Sequence, residues 1–141
     1  PGNRYSGGLY AAGSREAVRP EGGRINGVGK MENQQRLSGN ALRGGIGPIE
    51  KINLFGEQAL PWGISLAGVL ELPPGSTIGQ HDHTGEWEFF YVLEGELWGL
   101  EAGQEVLLTA GDVTLTGGGQ EHRLQNRSNC PAKVLALIAK E

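Results

Sequence analysis

From about residue 49 to its end, the chain is a series of short apolar runs separated by residues that favour turns. The run Ile64–Leu72 ends in two prolines and a glycine, Glu88–Leu93 ends in Glu94-Gly95, and the series closes with Lys133–Ala139. Runs of this length and spacing indicate β-strands, and no segment between them is long enough for a helix that crosses over a sheet. The 25 glycines and 7 prolines among 141 residues agree with many turns. We therefore predict a single all-β domain, an antiparallel barrel or sandwich.

Residues 1–45 differ from this pattern. They are rich in glycine, asparagine, glutamine and arginine, and they show no sustained strand or helix period. We predict that residues 1–45 form an N-terminal arm, partly extended or disordered, and that the barrel spans residues 46–141. The first residues carry neither the basic nor the apolar region of a secretory signal. Together with a single cysteine, Cys130, this favours a cytoplasmic location.

The overall charge restricts the kinds of partner. The chain has 12 basic and 16 acidic residues, a formal net charge of -4. This mildly acidic balance provides no electrostatic footprint for nucleic acid or an anionic membrane. The longest apolar run, Val134–Ala139, is too short to span a bilayer. We therefore expect a small-molecule substrate, with no nucleic acid and no membrane as partner.

All 3 histidines of the chain take part in one pattern. His81 and His83 are two residues apart, so in a strand both side chains point to the same face. Glu88 follows at the start of an apolar run, and His122 begins a later run after a glycine-rich loop. A lone histidine is more often structural than a ligand, but this combination indicates a metal site. Imidazole nitrogen together with carboxylate oxygen suits iron, manganese, nickel, copper or zinc.

These residues lie in two stretches that closely resemble the two sequence motifs of the cupin superfamily. Gly75–Gly95 (GSTIGQHDHTGEWEFFYVLEG) matches the first motif at every defined position. Gly111–Asn126 (GDVTLTGGGQEHRLQN) matches the second, except that Gly117 stands where the motif has a proline. The resemblance implies a double-stranded β-helix, the jelly-roll barrel of small bacterial cupins. It also implies one divalent transition-metal ion per chain, with iron or manganese favoured and nickel, zinc or copper as alternatives. The ligands that it implies are His81, His83, Glu88 and His122.

The alternation of strand residues predicts the wall of the pocket beside the metal. If Glu88 points into the barrel, Phe90 and Val92 follow it inward. A two-residue turn at Glu94-Gly95 would pair Val92 with Leu97 across a hairpin. The wall would be largely apolar, with one polar group at its end. The predicted substrate pocket comprises Phe90, Val92, Leu97, Leu124 and Asn126.

Few charged side chains are expected near this pocket. Glu86 has the same strand parity as Glu88 but lies in the preceding loop, so we consider it as an outer-shell catalytic acid or base. Asp82 has the opposite parity to its flanking histidines. No lysine or arginine falls on the predicted wall, so a small dianion would meet no counter-charge besides the metal unless Arg43 folds in from the arm.

The predicted site does not fix the reaction, because one fold with one ligand set supports many chemistries. Three histidines and one carboxylate leave metal positions open for water or substrate. In an apolar cavity this favours a metal-dependent oxidoreductase, dioxygenase-like, that acts on a small organic molecule. The first alternative is a non-redox lyase, isomerase, cyclase or decarboxylase, although the missing inward arginine counts against an oxalate-type decarboxylase. The second alternative is a non-catalytic module that binds or senses a small molecule.

The outward positions of the predicted strands are also apolar. Phe89, Tyr91 and Leu93 alternate with the inward residues, and Lys133–Ala139 is apolar on both faces. A monomer rarely exposes that much contiguous apolar surface. We therefore expect a homodimer, and the resemblance to cupins adds that the N-terminal arms could be exchanged between its subunits.

Overall fold

The structure is a computed structural model that describes residues 29–57 and 59–141. Within these residues it contains ten β-strands and two short 3₁₀ segments, Met31–Asn33 and Leu42–Gly44. Neither helical segment of this described part has the length or apolar character needed to cross a membrane. The strands are β1 (Gln35–Asn40), β2 (Pro48–Asn53), β3 (Ile64–Leu72), β4 (Thr77–Asp82), β5 (Glu86–Glu94), β6 (Glu96–Glu101), β7 (Gln104–Thr109), β8 (Val113–Gly117), β9 (Glu121–Gln125) and β10 (Ala132–Lys140).

The strands form two antiparallel sheets that pack face to face. The order in the six-stranded sheet is β1-β2-β3-β10-β5-β8, and the order in the four-stranded sheet is β4-β9-β6-β7. Strands that follow one another in sequence, such as β3 and β4, therefore often lie in opposite sheets. This is the connectivity of a jelly roll. The predicted all-β jelly-roll fold is confirmed.

One predicted strand pairing is wrong. β5 and β6 lie in different sheets, so Glu94-Gly95 is not a hairpin turn and Val92 does not pair with Leu97. Val92 pairs with β10, whereas Leu97 pairs with β7. Gly95 explains the crossing, because its φ is 80° and a Cβ there would lie 2.6 Å from the carbonyl oxygen of Pro131. The chain changes sheets at a close backbone approach that glycine accommodates.

The core lies between the two sheets, and the predicted strand parity is correct there. Phe90 and Val92 of β5 are 2% and 1% exposed, whereas their neighbours on the strand face outward. Packing of this kind contributes about 1.5–3 kcal/mol for each large side chain that is fully buried. The core therefore fixes the distance between the sheets that carry the site. Its apolar members are Ile49, Leu70, Leu72, Ile78, Phe90, Val92, Leu97, Leu108, Leu124, Ala132, Val134 and Ala136.

The described part of the predicted arm is joined to the barrel. β1 pairs with β2 along its whole length, from Gln35 to Asn40. The turn Leu42–Gly44 then leads back to β4, where the backbone N–H of Ile46 donates to the hydroxyl of Thr77 at 2.7 Å. The prediction that the arm is partly extended or disordered also covers residues 1–28, which lie outside the described residues.

The outer face of the six-stranded sheet is apolar. Tyr91 and Leu93 of β5 are 39% and 44% exposed, and Val113 and Leu115 of the neighbouring β8 are 53% and 60% exposed. The predicted outward orientation of Tyr91 and Leu93 is therefore correct.

Candidate metal centre

The four predicted ligand side chains come together at one point in the barrel. One donor atom from each of His81, His83, Glu88 and His122 lies within 4.8 Å of the others. The Nε2 atom of His122 is 3.0 Å from Nε2 of His83 and 3.1 Å from Nε2 of His81. Oε1 of Glu88 is 2.8 Å from Nε2 of His83 and 3.1 Å from Nε2 of His122. The cluster could bind one metal ion.

Three strands bring these side chains together. His81 in β4 is the register partner of His122 in β9, so their rings meet across one pair of strands. A register irregularity between Ile78 and His81 interrupts that ladder just before the site. Glu88 reaches the cluster from β5 in the opposite sheet. The four candidate ligands thus bridge the two sheets, and His83, Glu88 and His122 are almost completely buried.

The remote nitrogen of each imidazole faces an oxygen atom. Nδ1 of His81 is 2.7 Å from the carbonyl oxygen of Gly79, and Nδ1 of His83 is 2.6 Å from Oε2 of Glu86. Nδ1 of His122 is 3.8 Å from Oε1 of Glu101. This distance is too long for a hydrogen bond but short enough for electrostatic attraction. Acceptors at Nδ1 favour the tautomer that leaves Nε2 free to bind a metal.

Glu86 lies behind His83 rather than between the ligands. It is the first residue of β5, so it does not lie in the preceding loop as the sequence suggested. Its contact with Nδ1 holds the imidazole of His83 in position, which is how an outer-shell carboxylate acts. Its role as a catalytic acid or base stays a prediction.

Glu101 is the site residue that the sequence reasoning missed. It ends β6, where it is the register partner of His122, and both of its carboxylate oxygens accept the hydroxyl of Thr116 at 2.8 and 2.9 Å. Nδ1 of His122 and the hydroxyl of Thr114 are buried without a hydrogen-bond partner within the described residues. Strand parity would have placed Glu101 inside the barrel, but its partner became visible only when the register of β6 and β9 was known.

The charges within the cluster reinforce one another. Burial disfavours the charge of Glu88, but the surrounding histidines outweigh burial and lower its pKa to about 2. Burial also disfavours the charge of His122, but the carboxylates of Glu101 and Glu88 outweigh it and raise its pKa above 6.5. Glu88 is therefore ionised at neutral pH, and the cluster favours a positive charge at its centre, either a proton or a metal ion.

The donor set fits a transition-metal ion. When the Nδ1 atoms donate outward, three Nε2 lone pairs and a carboxylate converge on one buried point, an arrangement that is unfavourable without a cation. Three nitrogens and one oxygen are also ligands that first-row metals accept. Phe90 stacks on His122 at a centroid distance of 4.9 Å and an interplanar angle of 9°, which limits rotation of that ring.

A cavity of about 320 Å³ adjoins three of the four candidate ligands, His81, His83 and Glu88. Of the predicted pocket residues, Phe90 lies on its wall, whereas Val92, Leu97 and Leu124 are buried in the core beyond the wall. The amide of Asn126 instead donates to the carbonyl oxygens of Leu72 and Cys130, so it fastens a loop. The residues that line the cavity are Leu37, Ser38, Gly39, Leu42, Arg43, Ile49, Lys51, Leu66, Leu70, Ile78, His81, His83, Glu88, Phe90 and Ile138.

The cavity contains basic groups that the predicted wall lacked. Arg43 comes from the turn Leu42–Gly44 and Lys51 comes from β2, and both line the cavity. The sequence left open that Arg43 folds in from the arm, and Arg43 does line the cavity, whereas Lys51 was not foreseen. Lys51 was missed because the predicted wall was built only from strands near the motifs, whereas β1 and β2 close the cavity from the N-terminal side.

Comparison with known proteins agrees with this geometry. The family model for the cupin domain matches residues 68–138, about half of the chain, and this range includes all four converging residues. The chain belongs to the cupin family. This cupin is 38% identical over 97 residues to the oxalate-binding protein of Thermotoga maritima, across 69% of this chain and 80% of that protein. It is also 36% identical over 72 residues to the tetracenomycin polyketide synthase protein TcmJ of Streptomyces glaucescens, across 51% of this chain and 48% of that protein.

A solved structure is similar over most of the molecule. The crystal structure of a predicted oxalate decarboxylase from Thermotoga maritima superposes with a TM-score of 0.75 at 33% sequence identity. The match covers 81% of this chain and 99% of that chain. The similarity extends beyond residues 68–138, so it includes barrel strands that carry no motif residue.

Proposed function

We propose that this cupin is a non-redox, metal-dependent protein that binds a small carboxylic acid, of the size of oxalate, as a ligand of the metal. The observation that carries the proposal is the charge of the cavity. Arg43 and Lys51 line it, and Glu88 is the one carboxylate among its described lining residues. With a divalent ion on the four ligands, the cavity would be strongly positive and would attract an anion.

The size and the wall of the cavity restrict the acid. About 320 Å³ is at the small end of ligand pockets, which favours a molecule of few atoms. Most of the remaining wall is apolar, including Leu70, Ile78 and Phe90. Such a wall excludes water and strengthens the attraction between the anion and the metal. The name of the Thermotoga relative, an oxalate-binding protein, supports the same class of ligand.

The sequence alone favours a dioxygenase-like oxidoreductase over the non-redox alternatives, and two observations reverse this order. Arg43 in the cavity removes the objection to an oxalate-type ligand. The relatives described as oxalate-binding and as a predicted oxalate decarboxylase are similar over most of this chain. We retain iron or manganese as the favoured ion, with nickel, zinc or copper as alternatives, because the same donor set accepts all of them.

The residues of the site would have two different roles. His81, His83, Glu88 and His122 would hold the ion, which when bound supplies a Lewis acid for the carboxylate of the ligand. Glu86 and Glu101 would orient the imidazoles from behind. Binding alone and non-redox turnover both require these steps, and they differ only in whether the bound acid is released unchanged.

Titration calorimetry of oxalate into metal-loaded and metal-free protein tests this proposal. We expect saturable binding by the metal-loaded protein and none by the metal-free protein, because one carboxylate must coordinate the ion. The His122→Ala variant should behave like the metal-free wild type. Incubation with oxalate should consume no oxygen, and product analysis would distinguish decarboxylation from simple binding. Metal-independent binding, or oxygen uptake that requires the acid, would contradict the proposal.

We further propose that two copies form a homodimer through the outer face of the six-stranded sheet. The contiguous apolar side chains of β5 and β8, with Leu115 60% exposed, support an interface there. Light scattering should give about twice the chain mass of 15.0 kDa. Leu115→Lys should dissociate the dimer, whereas Leu107→Lys should not, because Leu107 is 43% exposed on the other sheet. A wild-type mass of one chain would contradict the dimer.

A further inference from the structure

The cavity holds its two cations on the side formed by the N-terminal part of the described chain. Arg43 lies in the turn after β1, and Lys51 lies in β2 next to Leu37 of β1. Among the described residues neither cation forms an ion pair with a carboxylate, whereas Arg36 on the outer face contacts both Glu50 and Glu71. The two cavity cations are therefore available to a ligand.

The turn that carries Arg43 has an unusual backbone conformation. Ala41 and Arg43 have φ angles of 55° and 54°, which lie in the left-handed region that residues other than glycine rarely adopt. Such residues persist only where the surrounding structure holds them, and they concentrate at functional sites. Here the backbone N–H of Ala41 donates to the carbonyl of Gly47 at 3.0 Å, which closes the loop around Arg43.

The same turn is fixed to the strand that carries a metal ligand. A Cβ at Gly79 of β4 would collide with the carbonyl oxygen of Arg43, so the two backbones lie in direct contact. The N–H of Thr77 donates to the carbonyl of Ile46 at 2.8 Å, and this holds the turn to β4 from the other side. Because His81 follows Gly79 in β4 by two positions, the backbone at Arg43 is held in a fixed relation to the metal ligands.

From these contacts we infer that Arg43 and Lys51 form a second carboxylate subsite, so that the cavity selects short dicarboxylates over monocarboxylates. This inference rests on the proposed function, in which one carboxylate binds the metal. The second carboxylate of a dianion would then lie within the same small cavity, where the guanidinium of Arg43 offers a two-pronged donor and Lys51 adds a point charge. A monocarboxylate would use the metal and leave both cations without a partner.

Calorimetry with three probes separates the two subsites: oxalate and malonate as dianions, and formate as a monoanion. Full-length, metal-loaded wild type should bind the dianions more tightly than formate. Arg43→Gln should weaken dianion binding at least about tenfold, because a charge-assisted hydrogen bond is lost, and should weaken formate binding by a smaller factor, because formate loses only the attraction of the cavity charge. Lys51→Gln should act in the same direction. Arg43→Lys should restore part of the preference, because it retains the charge but not the two-pronged geometry.

Arg36→Gln is the matched control, since Arg36 lies in β1 but faces outward and does not line the cavity. It should leave the ratio of dianion to formate affinity unchanged, and elemental analysis after each titration should show that the metal is retained. Unchanged ratios in Arg43→Gln and Lys51→Gln would overturn the second subsite while leaving metal-dependent binding intact. Wild type that binds neither class of acid when metal-loaded would overturn both the proposed function and this inference.

Discussion

Replacing Glu101 should weaken metal binding even though Glu101 is not one of the converging ligands. Its Oε1 atom lies 3.8 Å from Nδ1 of His122, and its side chain is held by Thr116 at 2.8 and 2.9 Å. When the Nε2 atom of His122 binds a cation, Nδ1 carries the proton and becomes a stronger donor. The carboxylate then has to approach by less than 1 Å to accept it. Without this acceptor, the buried Nδ1–H of His122 would have no hydrogen-bond partner.

The size of the effect follows from the loss of that acceptor. A hydrogen bond to a charged group contributes about 1.5–3 kcal/mol, which corresponds to roughly a 10- to 100-fold change in affinity. Removing an outer-shell partner of a metal ligand costs a similar factor, about 10- to 100-fold. Glu101→Ala should lose this full amount. Glu101→Gln keeps a neutral acceptor for both His122 and Thr116, so it should lose less, about 3- to 10-fold.

Competition with a chelator of known affinity measures these changes directly. Glu105→Gln is the control, because Glu105 pairs with Arg123 and Arg127 on the surface, away from the ligands. Unfolding of each metal-free variant should be measured alongside, so that a loss of fold is recognised. Wild-type metal affinity in a folded Glu101→Ala protein would refute the assignment of Glu101 as the residue that orients His122.

Two further predictions follow from the pKa shifts and from one glycine. Because the pKa of His122 is raised above 6.5, the proton should already compete with the metal at pH values above 6.5, and metal affinity should fall as the pH decreases. In the metal-free protein the same histidine stabilises the fold below pH 6.5 and loses this effect as the pH rises through its raised pKa. Glu88 stabilises the fold above pH 4.5 and loses this effect as the pH falls towards about 2. Both effects are fully present only between pH 4.5 and pH 6.5, so the midpoint temperature of thermal unfolding of the metal-free protein should be highest in that range. A metal-free midpoint that rises from pH 6 to pH 9 would contradict this assignment. Gly117→Ala should cost about 1–3 kcal/mol in denaturant unfolding, because its Cβ would lie 2.7 Å from Cγ of Trp87. Gly39→Ala, whose Cβ would meet nothing closer than 4.0 Å, should leave stability nearly unchanged, and equal losses in both variants would contradict the packing argument.

The residues that could be predicted from the sequence are those whose geometry is local. His81 and His83 are two residues apart, and Glu88 shares strand parity with Phe90, so the alternation of β-structure was enough to place them on inward faces. Position in the motif then added His122. The structure brings these four side chains together because each strand follows its own inward pattern.

The residues that were missed depend on contacts between distant segments. Lys51 was not foreseen, and Arg43 was named only on the condition that the arm folds in. Arg43 reaches the cavity because β1 pairs with β2, and the backbone contact with Gly79 that fixes its turn joins segments with no shared pattern. Glu101 lies beside His122 because of the register between β6 and β9. The hairpin at Glu94-Gly95 was wrong for a related reason, since a two-residue turn and a crossing between sheets can have the same sequence. The alternation of inward and outward residues within one β-strand contains no information about which strands become its neighbours.

Elemental analysis of protein purified without chelators tests the central claim most directly. The four converging donors predict about one equivalent of a first-row transition metal in wild type. Glu88→Gln, which keeps the shape of the side chain but removes its charge, and His122→Ala should each lose most of it while remaining folded by circular dichroism. Full metal content in both folded variants, or none in wild type supplied with each of the five metals, would contradict the account.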